Sequence, residues 1–447
     1  MIFEADAETM PRSDLRALQD RRLRALAAYV HERVPFYRHR FEEMGLTPDA
    51  IQGVADLPRL PFTRKADLRD NYPFDLFAVP VAEMNRIHCS SGTTGKPTVV
   101  GYTREDVDLF ARVCARSLAM AGAEPGMILH NAYGYGLFTG GLGLHYGGER
   151  LGMAVVPVSG GMTERQVMMI MDFRPTVISC TPSYALTLAQ ELQRQGVGPE
   201  GISLRYAVVG AEPWTETMRT EIDQRLGVRC TNIYGLSEII GPGVSCECVE
   251  VRQGSHVNED HFLPEIVDPD TGQVLPEGSE GVLVLTTLTK QGLPLIRYWT
   301  GDITSLSSEP CACGRTLTRM ALIKGRSDDM LIVRGINVYP TQIESALGAV
   351  TELAPHYRLI LTRQHTLDEL EVQVEVSEEF SRTVAVEVFS DEMVEANEHL
   401  RALRARAGAA IRGTLGIGVT VRLMAPRTVP RSEGGKLQRV VDQRHLA

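Results

Sequence analysis

Two hydrophobic periods alternate through the middle of the chain. Short apolar runs at residues 153–158, 176–180, 205–209 and 229–233 read as strands buried on both faces. Between them, at 163–172, 182–195 and 215–226, apolar positions recur at helical spacing, with Thr215 placed as an N-cap. This alternation predicts a parallel sheet covered by helices on both faces. In such sheets the loops at the carboxyl ends of the strands form the ligand site. Three loops then share one edge: Thr181-Pro182-Ser183, Gly210-Ala211-Glu212-Pro213, and Tyr234-Gly235-Leu236-Ser237-Glu238.

Ahead of the sheet, residues 12–45 carry helical spacing, interrupted at Val34-Pro35-Phe36-Tyr37. Residues 57–63 are punctuated by prolines, and Thr63 is placed to cap the next short helix. A helix is predicted over 103–120, with Thr103 as N-cap and Glu105 and Asp106 in its first turn. Residues 131–143 interleave glycines with Tyr133, Tyr135 and Phe138. Two readings stand open there: a backbone that closely approaches a ligand beside an aromatic wall, or a glycine-rich helix packed on a neighbour.

Behind the sheet, 265–305 reads as antiparallel, with a Pro-Asp-Thr-Gly turn. The polar stretch 324–329 suits a hinge or linker. Beyond it come a strand (330–333), a helix (341–347), two alternating strands (358–362 and 370–376), a long helix around 391–413 and a strand at 419–424. The expected fold is therefore α/β. A large N-terminal domain (1–325) has parallel sheets flanked by helices plus an antiparallel part. A small, mobile α+β C-terminal domain (326–447) follows.

Composition narrows the function. The chain has 447 residues and a formal net charge of −10, which argues against a nucleic-acid binder. Hydrophobic residues make up 43% and charged residues 23%, as in soluble globular proteins. No run is long and apolar enough to suggest a membrane span. The first ten residues carry Glu4, Asp6 and Glu8 rather than a basic and apolar leader, so a cytoplasmic location is expected. Eight cysteines in such a chain are no disulfide scaffold.

The densest candidate chemistry is Ser90-Ser91-Gly92-Thr93-Thr94-Gly95-Lys96-Pro97-Thr98. Its hydroxyls, glycines and lysine suit a phosphate cradle. The spacing is not that of a Walker A loop, and the β-rich residues 98–102 place it in a hairpin. Glu238 offers a hard oxygen ligand for Mg²⁺. Asp302, after a Gly turn, could accept from a ribose diol. Lys436 sits in the glycine-flexed loop Ser432-Glu433-Gly434-Gly435-Lys436, where a plain solvated lysine is the alternative.

Taken in order, SSGTTGKPT (90–98), AYGYGLFTGG (132–141), GAEPW (210–214), YGLSEIIGPGV (234–244), EDHFLPEI (259–266), GRSDDMLIVRGINVYP (325–340) and GGKLQR (434–439) resemble the acyl-adenylate-forming ligases, within them the phenylacetate–coenzyme A ligases. The resemblance implies two steps: attack of a carboxylate on the α-phosphorus of ATP, then displacement of AMP by coenzyme A. It also implies roles. Loop 90–98 would hold the β,γ-phosphates and Glu238 would help hold Mg²⁺. Gly210, Ala211, Glu212 and Pro213 would line the adenine, next to Tyr234 and Gly235. Asp302 and Arg326 would bind the ribose. Lys436 would act in the first step only, with Asp328 at the hinge. Tyr133, Phe138, Ala211, Ile233 and Pro242 would line an aryl pocket. A homodimer is a family-level expectation.

The chain departs from the commonest family pattern at Trp299 and Gly301, at Ser255-His256-Val257-Asn258 and at Cys311-Ala312-Cys313. These departures leave a substituted benzoate, such as anthranilate or a hydroxybenzoate, beside phenylacetate as the acid. A non-catalytic aryl-ligand or nucleotide-binding relative is the alternative of another class. Cys248, His256, Cys311 and Cys313 would make a tetrahedral Zn²⁺ set, with Cys246 competing for the first place and free buried cysteines as the alternative.

Overall fold

The computed structural model describes the whole chain except residues 90–96, 138, 328–330, 335, 365–366, 385, 387–388, 432–438 and 445–447, and the side chains of residues 332, 337, 364 and 367. Nine strands form the main sheet, in the order Leu306–Ser307, Arg319–Met320, Ser255–Val257, Gly241–Glu247, Arg229–Leu236, Tyr206–Gly210, Val177–Cys180, Ile128–Asn131, Ala154–Val156. The last five of these are mutually parallel, as the alternating pattern predicts. From Arg229–Leu236 toward the other edge every pairing is antiparallel, so the sheet is mixed. The predicted antiparallel part is a second sheet: Phe262–Val267, Gly281–Thr287, Tyr298–Thr304 and Gly325–Arg326.

Helix ends follow the caps. Thr103 and Asp106 form a capping box at the start of Arg104–Met120, and the Thr215 hydroxyl accepts from the Met218 N–H at Glu216–Leu226. Thr63 does not cap a helix. It is fully buried, sharing a hydrogen bond with the Tyr37 hydroxyl and donating to the Ile296 carbonyl, and the next helix starts at Lys65. The first helical region breaks only at Val34, because Pro35 lacks an N–H and so starts Pro35–Glu43 at N1. The long C-terminal helix is two, Asp391–Ala396 and Glu398–Leu415. Asn397 adopts an extended conformation and caps the second through its side chain.

The reading of 131–143 as a glycine-rich helix packed on a neighbour holds for its second half. Residues 132–137 form no regular element, while Gly140–Leu151 is a helix lying against Arg104–Met120. A Cβ at Gly143 would sit 2.3 Å from the Phe110 ring, so only glycine permits this approach. The hairpin Arg86–Cys89 and Val99–Tyr102 pairs Cys89 with Val99 at the ends of the segment between its strands. Residues 331–423 supply a separate apolar core, built on the sheet Thr420–Met424, Leu367–Val376, Leu353–Gln364, Val440–Asp442. Helix Pro340–Gly348 of this part packs on Glu216–Leu226; a Cβ at Gly348 would lie 2.9 Å from Thr217 Cγ2.

Candidate functional site

A cavity of about 220 Å³ opens at the carboxyl edge of the parallel strands. Its floor is the turn after Tyr206–Gly210. Gly210 runs so close beneath the neighbouring strand that a Cβ there would lie 2.0 Å from the Ile233 carbonyl oxygen. Ala211 follows with φ +73°, a left-handed conformation that an alanine adopts at a cost of about 1 kcal/mol. Glu212 is then turned inward, and its Oε1 accepts from the Ser183 N–H at 2.6 Å. The edge loop 181–183 thereby joins the turn 210–213, as the sheet topology predicts.

On the opposite wall Asp302 is nearly buried. Its Oδ2 accepts from the Tyr234 hydroxyl at 2.5 Å and its Oδ1 from Arg326 at 3.0 Å. Burial beside the Asp302 charge pushes the Tyr234 phenol well above its ordinary value, so it stays a donor. Glu238 lies in the turn between Arg229–Leu236 and Gly241–Glu247, and its Oε1 accepts from the Tyr298 hydroxyl at 3.3 Å. Tyr133, Ile233 and Pro242 give the apolar wall beside these groups. Lys65, at the start of Lys65–Asp70, also lines the cavity.

A second constellation lies away from this cavity. The ligand atoms of Cys248, His256, Cys311 and Cys313 are all within 4.8 Å of one another. Cys248 and Cys311 sulfurs are 3.7 Å apart, and the Cys313 sulfur is 3.4 Å from His256 Nε2. A tetrahedral ion with Zn–S near 2.3 Å and Zn–N near 2.0 Å needs S–S and S–N edges of about 3.8 and about 3.5 Å, so the residues fit. His256 Nδ1 lies 3.3 Å from the Leu317 carbonyl, an arrangement that leaves Nε2 free to ligate. Hydrogen bonding from Cys248 holds the Cys313 thiol far below its ordinary value. Cys246 is buried in the main core and stands outside this group.

The comparisons with known proteins bear on the first of these constellations. Residues 82–288 match the family model for AMP-binding enzymes, and 335–444 the model for the C-terminal domain of AMP-binding enzymes. A phenylacetate–coenzyme A ligase of Thermus thermophilus is 65% identical over 444 residues, covering 99% of this chain and all of that one. The chain belongs to the phenylacetate–coenzyme A ligase family of AMP-binding enzymes. Among solved structures, 2-hydroxyisobutyryl-CoA ligase in the postadenylation state with an acyl-AMP is 29% identical, covers 100% of this chain and 93% of that one, and has a TM-score of 0.90. The same ligase in its thioesterification state, 30% identical and covering 99% and 92%, reaches 0.71. The arrangement here therefore follows the first of the two states.

Against the family's motifs, the structure gathers Ala211, Glu212, Pro213, Tyr234, Gly235, Glu238, Asp302 and Arg326 around one cavity, with Tyr133, Ile233 and Pro242. Gly210 supports them from beneath. Ser90, Ser91, Gly92, Thr93, Thr94, Gly95 and Lys96, with Phe138, Asp328 and Lys436, lie outside the described residues. Sequence reasoning missed Lys65, Tyr298 and Lys290. Lys290 is fully buried and its ammonium donates to the Glu238 carbonyl at 3.0 Å. No local pattern marks these residues, because each reaches the site from a distant part of the chain.

Proposed function

We propose that this chain is a cytoplasmic, AMP-forming ligase that joins an aryl carboxylic acid, phenylacetate foremost, to coenzyme A through an acyl-adenylate. The observation that carries the reading is the convergence of Glu238, the Asp302–Arg326 pair and the 210–213 turn on one cavity with an aryl-sized apolar wall. In the first step a carboxylate oxygen attacks the α-phosphorus of ATP and the bond to the leaving pyrophosphate breaks. In the second the coenzyme A sulfur attacks the acyl carbon, the bond to AMP breaks, and the thiol proton is lost to solvent. Catalysis is positioning and charge neutralisation rather than covalent chemistry by the protein.

In this reading Ala211, Glu212 and Pro213 line the base. Asp302 accepts from the ribose, held at its place by Tyr234 and Arg326. Glu238 would help hold Mg²⁺, which supplies positive charge at the phosphate oxygens. Loop 90–98 would grip the leaving phosphates, and Lys436 would approach the α-phosphate and carboxylate from the C-terminal domain, which begins near residue 326 and would swing about Asp328. The absence of a basic residue among Tyr133, Ile233 and Pro242 favours an acid with an apolar distal end. Cys248, His256, Cys311 and Cys313 would hold a structural Zn²⁺ that ties residues 311–313 to the main sheet.

Pyrophosphate release with ATP, Mg²⁺ and a panel of aryl acids, with and without coenzyme A, tests the reading. Phenylacetate is expected to trigger release more strongly than anthranilate or hydroxybenzoates, and thioester to form only with coenzyme A. No release with any acid would leave a binding protein instead. Lys436→Ala is expected to lower adenylate formation far more than thioester formation from supplied adenylate.

A further inference from the structure

The turn that presents Glu238 has no helix or ladder to satisfy its carbonyls, so other groups must hold it. Two side chains do so from below. The Tyr102 hydroxyl lies 3.2 Å from the Ser237 carbonyl and 3.1 Å from that of Ile240. The Lys290 ammonium donates to the Glu238 carbonyl itself at 3.0 Å, and lies 4.7 Å from the centre of the Tyr102 ring. Lys290 is 2% exposed, and a lysine is buried to that degree only when its charge is matched. Burial lowers the ammonium to about 8, and the charges of Asp106 and Glu238 offset part of that loss, so it stays protonated at neutral pH.

Lys290 is in turn fixed by its own loop. Asp106, already in the capping box of Arg104–Met120, accepts from the Gln291 and Gly292 N–H groups at 2.7 Å each. A side chain at Gly292 would meet that carboxylate at 3.0 Å. The Gly292 carbonyl accepts from the Ala78 N–H, and the Gln291 carbonyl from the Tyr29 hydroxyl. The chain from helix cap to loop to ammonium to Glu238 is continuous, and it is buried at Asp106, Lys290, Gly292 and Glu238. Its far end is the carboxylate that faces the cavity, which Tyr298 orients from the other side.

We propose that Lys290 is a positioning residue for metal–nucleotide binding: its buried ammonium clamps the Glu238 carbonyl and so sets the carboxylate toward the cavity. This rests on the reading of Glu238 as a metal-facing group. Removal of the clamp lets the turn rotate and lowers metal affinity without removing a ligand atom.

The test is Mn²⁺ binding to the full-length enzyme with a non-hydrolysable ATP analogue, followed by loss of the free-ion EPR signal. Lys290→Met keeps the length and apolar stem of the side chain. It is expected to weaken Mn²⁺ binding about tenfold, the scale of one charge-assisted hydrogen bond. The Mg²⁺ needed for half-maximal pyrophosphate release should rise in parallel, while kcat at saturating Mg²⁺ changes less than about threefold. On the Glu238→Gln background, Lys290→Met should add no further loss, since both act through one group. Unchanged Mn²⁺ affinity in Lys290→Met, or losses that add in the double variant, would overturn the proposal. Unchanged Mn²⁺ affinity in Glu238→Gln alone would instead overturn the reading of Glu238. Lys290→Gln, which keeps one donor for the same carbonyl, is expected to hold Mn²⁺ affinity within about threefold even if Lys290→Met fails to fold, and a tenfold loss in it would overturn the proposal.

Discussion

Arg439 offers a sharp test of how the C-terminal domain is held. It stands three residues beyond Lys436. Its side chain is 9% exposed, and its guanidinium lies 3.3 Å from Glu344 Oε2 and 5.2 Å from the Tyr357 ring. Glu344 is itself 5% exposed, accepts from the Tyr357 hydroxyl at 3.0 Å, and interacts with Thr215 of the large domain. Burial pushes its carboxyl up and the guanidinium pulls it back, so the arginine keeps the charge in place. Replacing one partner of a buried pair costs about 3–5 kcal/mol. The geometry argues for the low end, because Arg439 Nε and Glu344 Oε1 have no hydrogen-bond partner among the described residues. Arg439, Glu344 and Tyr357 all lie beyond residue 326, so this loss of about 3 kcal/mol, roughly a hundredfold in an equilibrium, falls on the folding of the C-terminal part itself.

Arg439→Met keeps the apolar stem and removes the charge. Unfolding followed by far-UV circular dichroism is expected to show a C-terminal part less stable by about 3 kcal/mol. Under conditions where that part stays folded, pyrophosphate release and thioester formation from supplied acyl-adenylate should each change less than about threefold. An unchanged unfolding transition would refute the reasoning.

Chelation followed by metal analysis tests the cysteine cluster. The purified enzyme is expected to carry about one zinc per chain, and Cys311→Ser to lose it with a lower thermal midpoint and little change in kcat for folded protein; a metal-free chain of equal stability would remove the site. A pH dependence of stability follows from His356, which is buried, is held well below its ordinary value by desolvation first and by Arg431, Arg439 and Arg225, and meets the Gln190 amide at 2.9 Å. The folded chain keeps this ring neutral while the unfolded chain takes up a proton below about pH 6.5, so its contribution is intact above that pH and is lost as the pH falls. Thermal midpoints at pH 7.5 and 5.5 should differ by more for the parent than for His356→Gln, and an equal difference in the two would exclude this cause.

Local pattern determined much of this protein. The strand–helix alternation from 152 to 233, the antiparallel run after 265 and the caps at Thr103 and Thr215 depend on periodicity and on side chains within one helical turn of their targets. Motif order placed the residues around the cavity, because the edge of a parallel sheet gathers loops that recur at regular intervals along the chain. What the sequence left open were choices between residues of equal local merit. Thr63 is as good a cap as Thr103, yet a buried Tyr37 and the Ile296 carbonyl claim it. Cys246 and Cys248 are two positions apart; Cys246 pairs with His256 in the sheet and turns into the core, while Cys248 lies past the strand's end, free to meet Cys311. Lys65, Lys290 and Tyr298 carry no local signature. Lys290 and Tyr298 meet Glu238 across 52 and 60 positions, Lys65 reaches the cavity from the far N-terminal side of the sheet, and such placements are decided by packing of the whole chain. Period and capping act over a few residues, whereas burial of a charge is decided by whatever the completed fold brings beside it.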